Sequence, residues 1–362
     1  MKINPIFPFL LSLFIFSASF AQNVGIGQWR DHLPYDKGIA VAETDEKVFC
    51  ATEYALFSYH KTDGSIEKIS KVNGLSDWGL SSMRYDKTSN TLVIGYFNGN
   101  LDLLIGNSIY NMSDIKRSNI IASKMINNIT FIDGLAYLSC GFGISILDID
   151  KLEIKDTYII GDSGIYIGVN QLATDGNNLF AAASDGVYKA SLGSANLANF
   201  NSWRKQDSLP NGTYNTIAFF NNKIYANYRS PLYKSDTIYE FDGVNWNKLD
   251  SIISEENFSL EPYSSEIVIA HKWHTRVYGT DWNAKQHIGS YQKPRGANPM
   301  HAIRGDGDAL WIADIWHGLA KGYNDWNSEM LLPNGPSSIY AYQMKAANGE
   351  VWVATGGRAK SN

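Results

Sequence analysis

The chain has 362 residues, too many for one small domain, and its 44% hydrophobic and 13% aromatic side chains can fill a sizeable core and suit strands. Its formal net charge is −5 at pH 7, with no run of lysine or arginine, which argues against nucleic acid as a partner.

At the N-terminus, Lys2 precedes an apolar run from Ile6 to Phe16, and Ser19-Phe20-Ala21 supplies the small residues of a cleavage site. Residues 1–21 therefore read as a secretory signal peptide, with the mature chain starting at Gln22. A membrane anchor fits less well, because the run is short of the roughly 20 apolar residues that span a bilayer and is interrupted by Pro5 and Pro8. Gly27-Gln28-Trp29-Arg30-Asp31-His32 then reads as a lone strand.

From here a unit repeats: a short β-rich run, a tight polar turn and a second β-rich run. It occurs at 48–57, 92–101, 136–146, 179–188, 224–233, 267–278, 310–319 and 351–357. The turn residues Ala55, Gly99, Gly143, Gly186, Pro231, Thr275 and Gly318 recur at 43 to 45 positions. In the first unit, 38–43, 47–52, 56–60 and 65–71 are four strands separated by turn residues. Asp133-Gly134, Asp175-Gly176-Asn177 and Asn221-Asn222 mark the inner hairpin at one phase of later units, because such residues reach positive φ at low cost. A period of this length with several strands per unit predicts an all-β fold, a β-propeller.

Counting inner hairpins gives seven complete units over 22–335 and an eighth, 338–355, that stops after its second strand. Two closures follow. In the favoured one the strand at 27–32 completes the seventh blade, giving seven four-stranded blades, and residues 336–362 begin a second propeller. In the other the ring has eight blades. Either way the natural chain is expected to continue past Asn362.

The two cysteines, Cys50 and Cys140, lie on inner strands with a whole blade between them. Sheets pack about 10 Å apart, beyond the roughly 7 Å reach of a disulfide, so two buried free thiols are expected. His271 and His274 invite a metal reading; three apart on one strand, they would point to opposite faces and share no ion. No metal or other cofactor is therefore expected. There is no Gly-x-Ser-x-Gly elbow, no phosphate-cradling loop and no His-Glu-x-x-His, and Asp86, Asp133, Asp175, Asp306 and Asp308 fall in turns that account for them. The chain reads as a binding protein and not as an enzyme.

The candidate binding patch lies in the last units. Trp273, Trp282, Trp316 and Trp326 occur there with Arg276, His287, Arg295 and His317, an aromatic and cationic mixture suited to stacking on sugars or anchoring a protein. Trp311 and Trp352 occupy one repeat phase and read as core.

The unit Gly307-Asp308-Ala309-Leu310-Trp311-Ile312-Ala313-Asp314-Ile315-Trp316-His317-Gly318-Leu319, echoed by Asn348-Gly349-Glu350-Val351-Trp352-Val353-Ala354-Thr355, resembles the repeat of two-component-regulator propellers. Gly27-Gln28-Trp29-Arg30-Asp31-His32-Leu33-Pro34-Tyr35, with Asn73-Gly74-Leu75-Ser76-Asp77, resembles the N-terminal propeller of the PorZ family of the Bacteroidota type IX secretion system. That resemblance implies an exported, non-enzymatic protein, periplasmic or at the cell surface in association with the outer membrane. Its implied partners are anionic lipopolysaccharide and the attachment-complex proteins PorU (the sortase), PorV and PorQ. The family carries two propellers and a C-terminal β-sandwich, which this sequence does not contain. The alternative is the glycan-binding sensor propeller of a hybrid two-component regulator.

Overall fold

Where an Asx-Gly or Asn-Asn pair separates two alternating runs, the chain reverses in a two-residue turn. Asp133 and Gly134 have φ of 49° and 77°, Asn221 and Asn222 of 48° and 60°, the twist that lets strands such as Ile126–Ile132 and Leu135–Cys140 pair directly. The computed structural model describes residues 31–252, 255–292, 296–336, 341–347 and 350–355.

Seven four-stranded antiparallel sheets follow one another, each with its strands in chain order from the inside outwards. They span 38–69, 80–112, 126–158, 169–205, 214–248, 257–288 and 299–331, and are called blades 1 to 7. The first strand of every blade packs on the first strands of its neighbours, and Gly38–Glu43 of blade 1 packs on Pro299–Arg304 of blade 7, closing the ring. The seven-bladed reading therefore holds. Second strands such as Thr91–Tyr96 and Leu310–Asp314 are buried along their whole length, because sheets cover both faces. Cys50 and Cys140 are buried free thiols, as expected; burial pushes both up, Cys140 to about 12, which leaves them unreactive.

The closure differs from the expected one. Blade 7 draws all four strands from its own segment, Pro299–Arg304, Leu310–Asp314, Gly318–Asn324 and Asn327–Leu331. Of the anticipated strand at 27–32, residues 27–30 lie outside the described residues, and Asp31 and His32 are not in a strand. Blades 7 and 1 are joined instead by side-chain packing: Trp311 and Leu319 meet Tyr35, Val48, Cys50 and Phe57 in one cluster. The Trp311 indole also donates to Glu43 at 3.1 Å. At this seam Gly318 has φ of 68°, and any Cβ on it would strike Tyr35 O and Leu332, so glycine is required there.

One irregularity recurs in all seven inner hairpins. The second residue of each first strand is left unpaired as a β-bulge: Ile39, Ser81, Asn127, Asn170, Asn215, Phe258 and Met300. A bulge re-aims its side chain, and four of these reach the backbone of the next blade. Asn127, Asn170 and Asn215 donate to Val169 O, Tyr214 O and Asn257 O at 2.6, 2.8 and 2.7 Å, and Ser81 donates to Ile126 O at 2.7 Å. Each bond ties a bulged side chain to the first strand of the next blade, and Ile126 O accepts from Ser82 as well, at 2.8 Å.

Inside the channel a charged cluster links blades far apart in sequence. Arg84 of blade 2 holds Glu261 of blade 6 with two bonds, 2.7 and 3.3 Å. His301 of blade 7 accepts from the Val41 N–H of blade 1 at Nδ1, so Nε2 carries the proton that it presents to Glu261 at 3.1 Å. Burial alone would raise the Glu261 carboxyl; Arg84 and the His301 bond outweigh it and hold it down to about 2. With the folded pKa depressed, this stabilisation is complete above about pH 4.5 and fades as the pH falls towards 2. Replacing Glu261 with Gln leaves Arg84 without its counter-charge and should cost about 2 kcal/mol, read as a lower thermal midpoint at neutral pH. An unchanged midpoint would show that this cross-channel cluster does not hold the ring.

Candidate functional site

The turns between second and third strands lie at the end of the blades where first strands begin, since Asn257 pairs with His271 and Gly38 with Thr52. On blades 5, 6 and 7 these turns carry one aromatic surface. Blade 6 contributes Lys272-Trp273, a two-residue turn between paired His271 and His274. Trp273 sits at φ 78°, where glycine is the favoured residue and a bulky side chain costs about 1 kcal/mol or more. Its ring packs on Trp316 of blade 7, centroids 5.0 Å apart. Its indole N–H donates to the Tyr233 hydroxyl of blade 5 at 3.1 Å. The Lys272 ammonium lies 4.6 Å from the Tyr233 ring, and Arg229 lies over the bulged Phe258 at the channel mouth. Tyr233 stays 62% and Trp316 44% exposed, so the platform is ordered and yet open to solvent.

Of the residues singled out in the sequence, the fold brings together Trp273 and Trp316. His317 lies buried beneath them, edge-on to Tyr291 and 3.2 Å from Gly296 O. Arg276 stands on the third strand of blade 6, 4.0 Å from Glu255. Trp282 is placed elsewhere: in the outer turn of blade 6 it packs against Phe220, Tyr225 and Tyr278 between blades 5 and 6. Trp326 is 89% exposed but belongs to the outer turn of blade 7, between Gly318–Asn324 and Asn327–Leu331. Arg295 lies outside the described residues. Sequence reading passed over Tyr233, Lys272 and, on blade 2 at the same end of the ring, Trp78 and Phe97, which are 65% and 49% exposed. The available signal was a large apolar residue at a turn phase that is otherwise polar.

The histidines differ from expectation for a simple reason: the chain reverses between them. His271 and His274 are cross-strand partners on one face, ring centroids 4.7 Å apart, and His287 stacks on His274 at 5.2 Å. His271 Nδ1 is 2.6 Å from Asn257 Oδ1 and its Nε2 is 3.2 Å from the Tyr278 hydroxyl. Among the described residues no three His, Cys, Asp or Glu side chains are placed to hold a metal ion. Burial, then Arg276 and His287, pushes His274 down to about 3, and burial drives His271 well below its usual value. Neutral in the fold, these rings bind protons in the unfolded chain, so their stabilisation is complete above about pH 6.5 and is lost as the pH falls towards 3. His274→Gln should flatten the fall of the thermal midpoint between about pH 7 and about pH 5; an equally steep fall would acquit the stack.

Residues 48–204, from the second strand of blade 1 to the outer strand of blade 4, match the family pattern of the type IX secretion system PorZ N-terminal β-propeller domain. No curated protein matches the chain. Among solved structures it is similar to PorZ, described as an essential bacterial surface component of the type IX secretion system of Porphyromonas gingivalis, with 21% identity and a TM-score of 0.74. That alignment covers 91% of this chain and 43% of the PorZ chain. It is also similar to the extracellular domain assigned to a hybrid two-component system of B. thetaiotaomicron, with 14% identity, a TM-score of 0.61, and coverage of 93% and 47%. A computationally designed protein shares the fold at 11% identity and a TM-score of 0.52, covering 89% and 94%. The chain spans less than half the length of the first two solved chains. Residues 48–204 thus match the pattern of a PorZ N-terminal β-propeller, and the fold of the chain is similar to that of PorZ.

Proposed function

We propose that this chain is the N-terminal propeller of a non-enzymatic type IX secretion component that works at the cell surface, binding anionic lipopolysaccharide and presenting it to the sortase of the attachment complex. The family match over 48–204 supports the secretion-system assignment. The observation that carries the binding role is the platform of Tyr233, Trp273 and Trp316 with Lys272 beside it. Flat rings stack on sugar faces, and the Lys272 ammonium beside them, held by Glu256 at 3.1 Å, would be shared with a phosphate or carboxylate. Because the rings are already locked by one another, little side-chain freedom is lost on binding. PorU, PorV and PorQ are the protein partners of this reading, and residues 1–21 serve as its export signal.

The last described hairpin, Ala341–Ala347 with Glu350–Thr355, has its register shift at the second residue, the same place as the seven inner hairpins. That shared bulge supports residues 336–362 as the start of a second propeller. No helix of the described residues is long and apolar enough to cross a membrane. The competing reading, a glycan sensor of a hybrid two-component system, is supported by the similarity to the B. thetaiotaomicron domain.

The double substitution Trp273→Gly and Trp316→Ala removes the rings while leaving Trp273's position to a residue that tolerates its φ. Binding of purified anionic lipopolysaccharide to the folded double variant should weaken by about tenfold or more. Unchanged affinity would remove the platform from the binding site. Binding of neutral glycans in preference to lipopolysaccharide would favour the sensor.

A further inference from the structure

In a ring of twisted sheets, neighbouring blades diverge towards the rim, and large side chains near the outer turns fill the wedges. Trp203 enters the cluster between blades 3 and 4. Trp246 packs on Phe180 and Phe241 between blades 4 and 5, and Trp282 packs on Phe220 and Tyr225 between blades 5 and 6. Blade 2 has no such filler. Its outer turn is Gly106-Asn107, and a Cβ built on Gly106 would meet nothing within 4 Å. The wedge between blades 1 and 2 is accordingly an open groove of about 590 Å³, within the range of ligand sites.

The groove has two zones. Its floor is apolar, formed by Phe49, Ile69, Leu92, Leu104 and Ile109, of which Leu104 and Ile109 are only partly buried. Its rim carries Asp45, Glu46 and Glu67 against one lysine, Lys47, which is already held by Glu67 at 3.2 Å. Two carboxylates remain uncompensated by any cation lining the groove. The groove also borders the outer strand Ile66–Ile69, whose outer edge has no partner strand among the described residues. Of its main-chain groups, Lys68 O accepts from Asn73. A strand edge beside an apolar slot offers an extended peptide both backbone and side-chain contacts.

We propose that the groove between blades 1 and 2 binds an extended peptide segment in which a lysine or arginine is flanked by aliphatic residues. The aliphatic side chains enter the slot left by Gly106-Asn107, and the cation meets Asp45, Glu46 and Glu67 at the rim. This site lies at the outer wedge of blades 1 and 2 and is independent of the aromatic platform on blades 5 to 7.

The test is an array of short random peptides probed with the folded chain, followed by solution affinities of the best binders by fluorescence anisotropy. Bound sequences should be enriched in Lys or Arg next to Leu, Ile or Val. Asn107→Trp places a filler where blade 6 has Trp282 and should abolish binding, while a thermal midpoint no lower than that of the unaltered chain confirms that it folds. Asp45→Lys and Glu67→Lys, at the solvated rim, should each weaken binding by about tenfold, and they keep the test decisive if Asn107→Trp misfolds. The proposal is overturned by an array without binders or with acidic ones. It is equally overturned if the binders ignore both rim substitutions, or if hexylamine binds while peptides do not.

Discussion

Every blade begins with a residue bulged out of its ladder, and this constraint organises the ring. A regular first strand would direct alternate side chains along its own two faces and offer none of them to the backbone of the next blade. The bulge turns one side chain sideways, so that Asn127, Asn170 and Asn215 each cap the following blade. Where the bulged residue is apolar, as at Ile39, Phe258 and Met300, other contacts do the joining. Those blades are the ones linked by His301, Glu261 and the Val41 N–H, with Arg84 reaching across from blade 2. Polar caps thus serve one arc of the ring and a charged cluster serves the other.

A ring held in this way fixes the turns at the channel mouth. Trp273 can stay at an unfavourable φ only because its surroundings over-determine it: the His271–His274 pair below, Trp316 beside it and Tyr233 bonded to its indole. The same rigidity explains the open wedge between blades 1 and 2. Blades cannot close together around a missing side chain when their inner strands are pinned at the channel, so the gap left by Gly106-Asn107 persists as a groove.

A designed protein and the extracellular domain assigned to a hybrid two-component system share the architecture at low identity, as expected of a scaffold whose requirements are strand pattern, turns and closure. What the turns present differs between blades: Tyr233, Trp273 and Trp316 on one side of the mouth, Trp78 and Phe97 on the other.

The repeat of 43 to 45 residues, the Asx-rich hairpin turns and the buried free thiols were legible in the amino-acid order because each depends on local chemistry or on counting. The count left seven or eight blades open, and the strand at 27–32 that favoured seven is not needed, because blade 7 draws its four strands from its own segment. The site was only half legible. Trp273 and Trp316 stand in corresponding turns of adjacent blades and meet, whereas Trp282, equally aromatic and equally near in sequence, turns inward to fill the wedge beside blade 5. The histidines show the limit most directly: whether His271 and His274 oppose or face each other depends on where a two-residue turn falls, and Lys272-Trp273 carries no turn signal. Composition and periodicity determined that this chain would be a β-propeller, since hydrogen-bonded strands and turns are short-range matters, and the closure at seven blades was decided by the packing of blade 7 on blade 1. Which side chains cap a neighbour, which fill a wedge and which remain exposed to a ligand was decided only when non-adjacent blades came into contact, because those choices depend on the space one blade leaves for another.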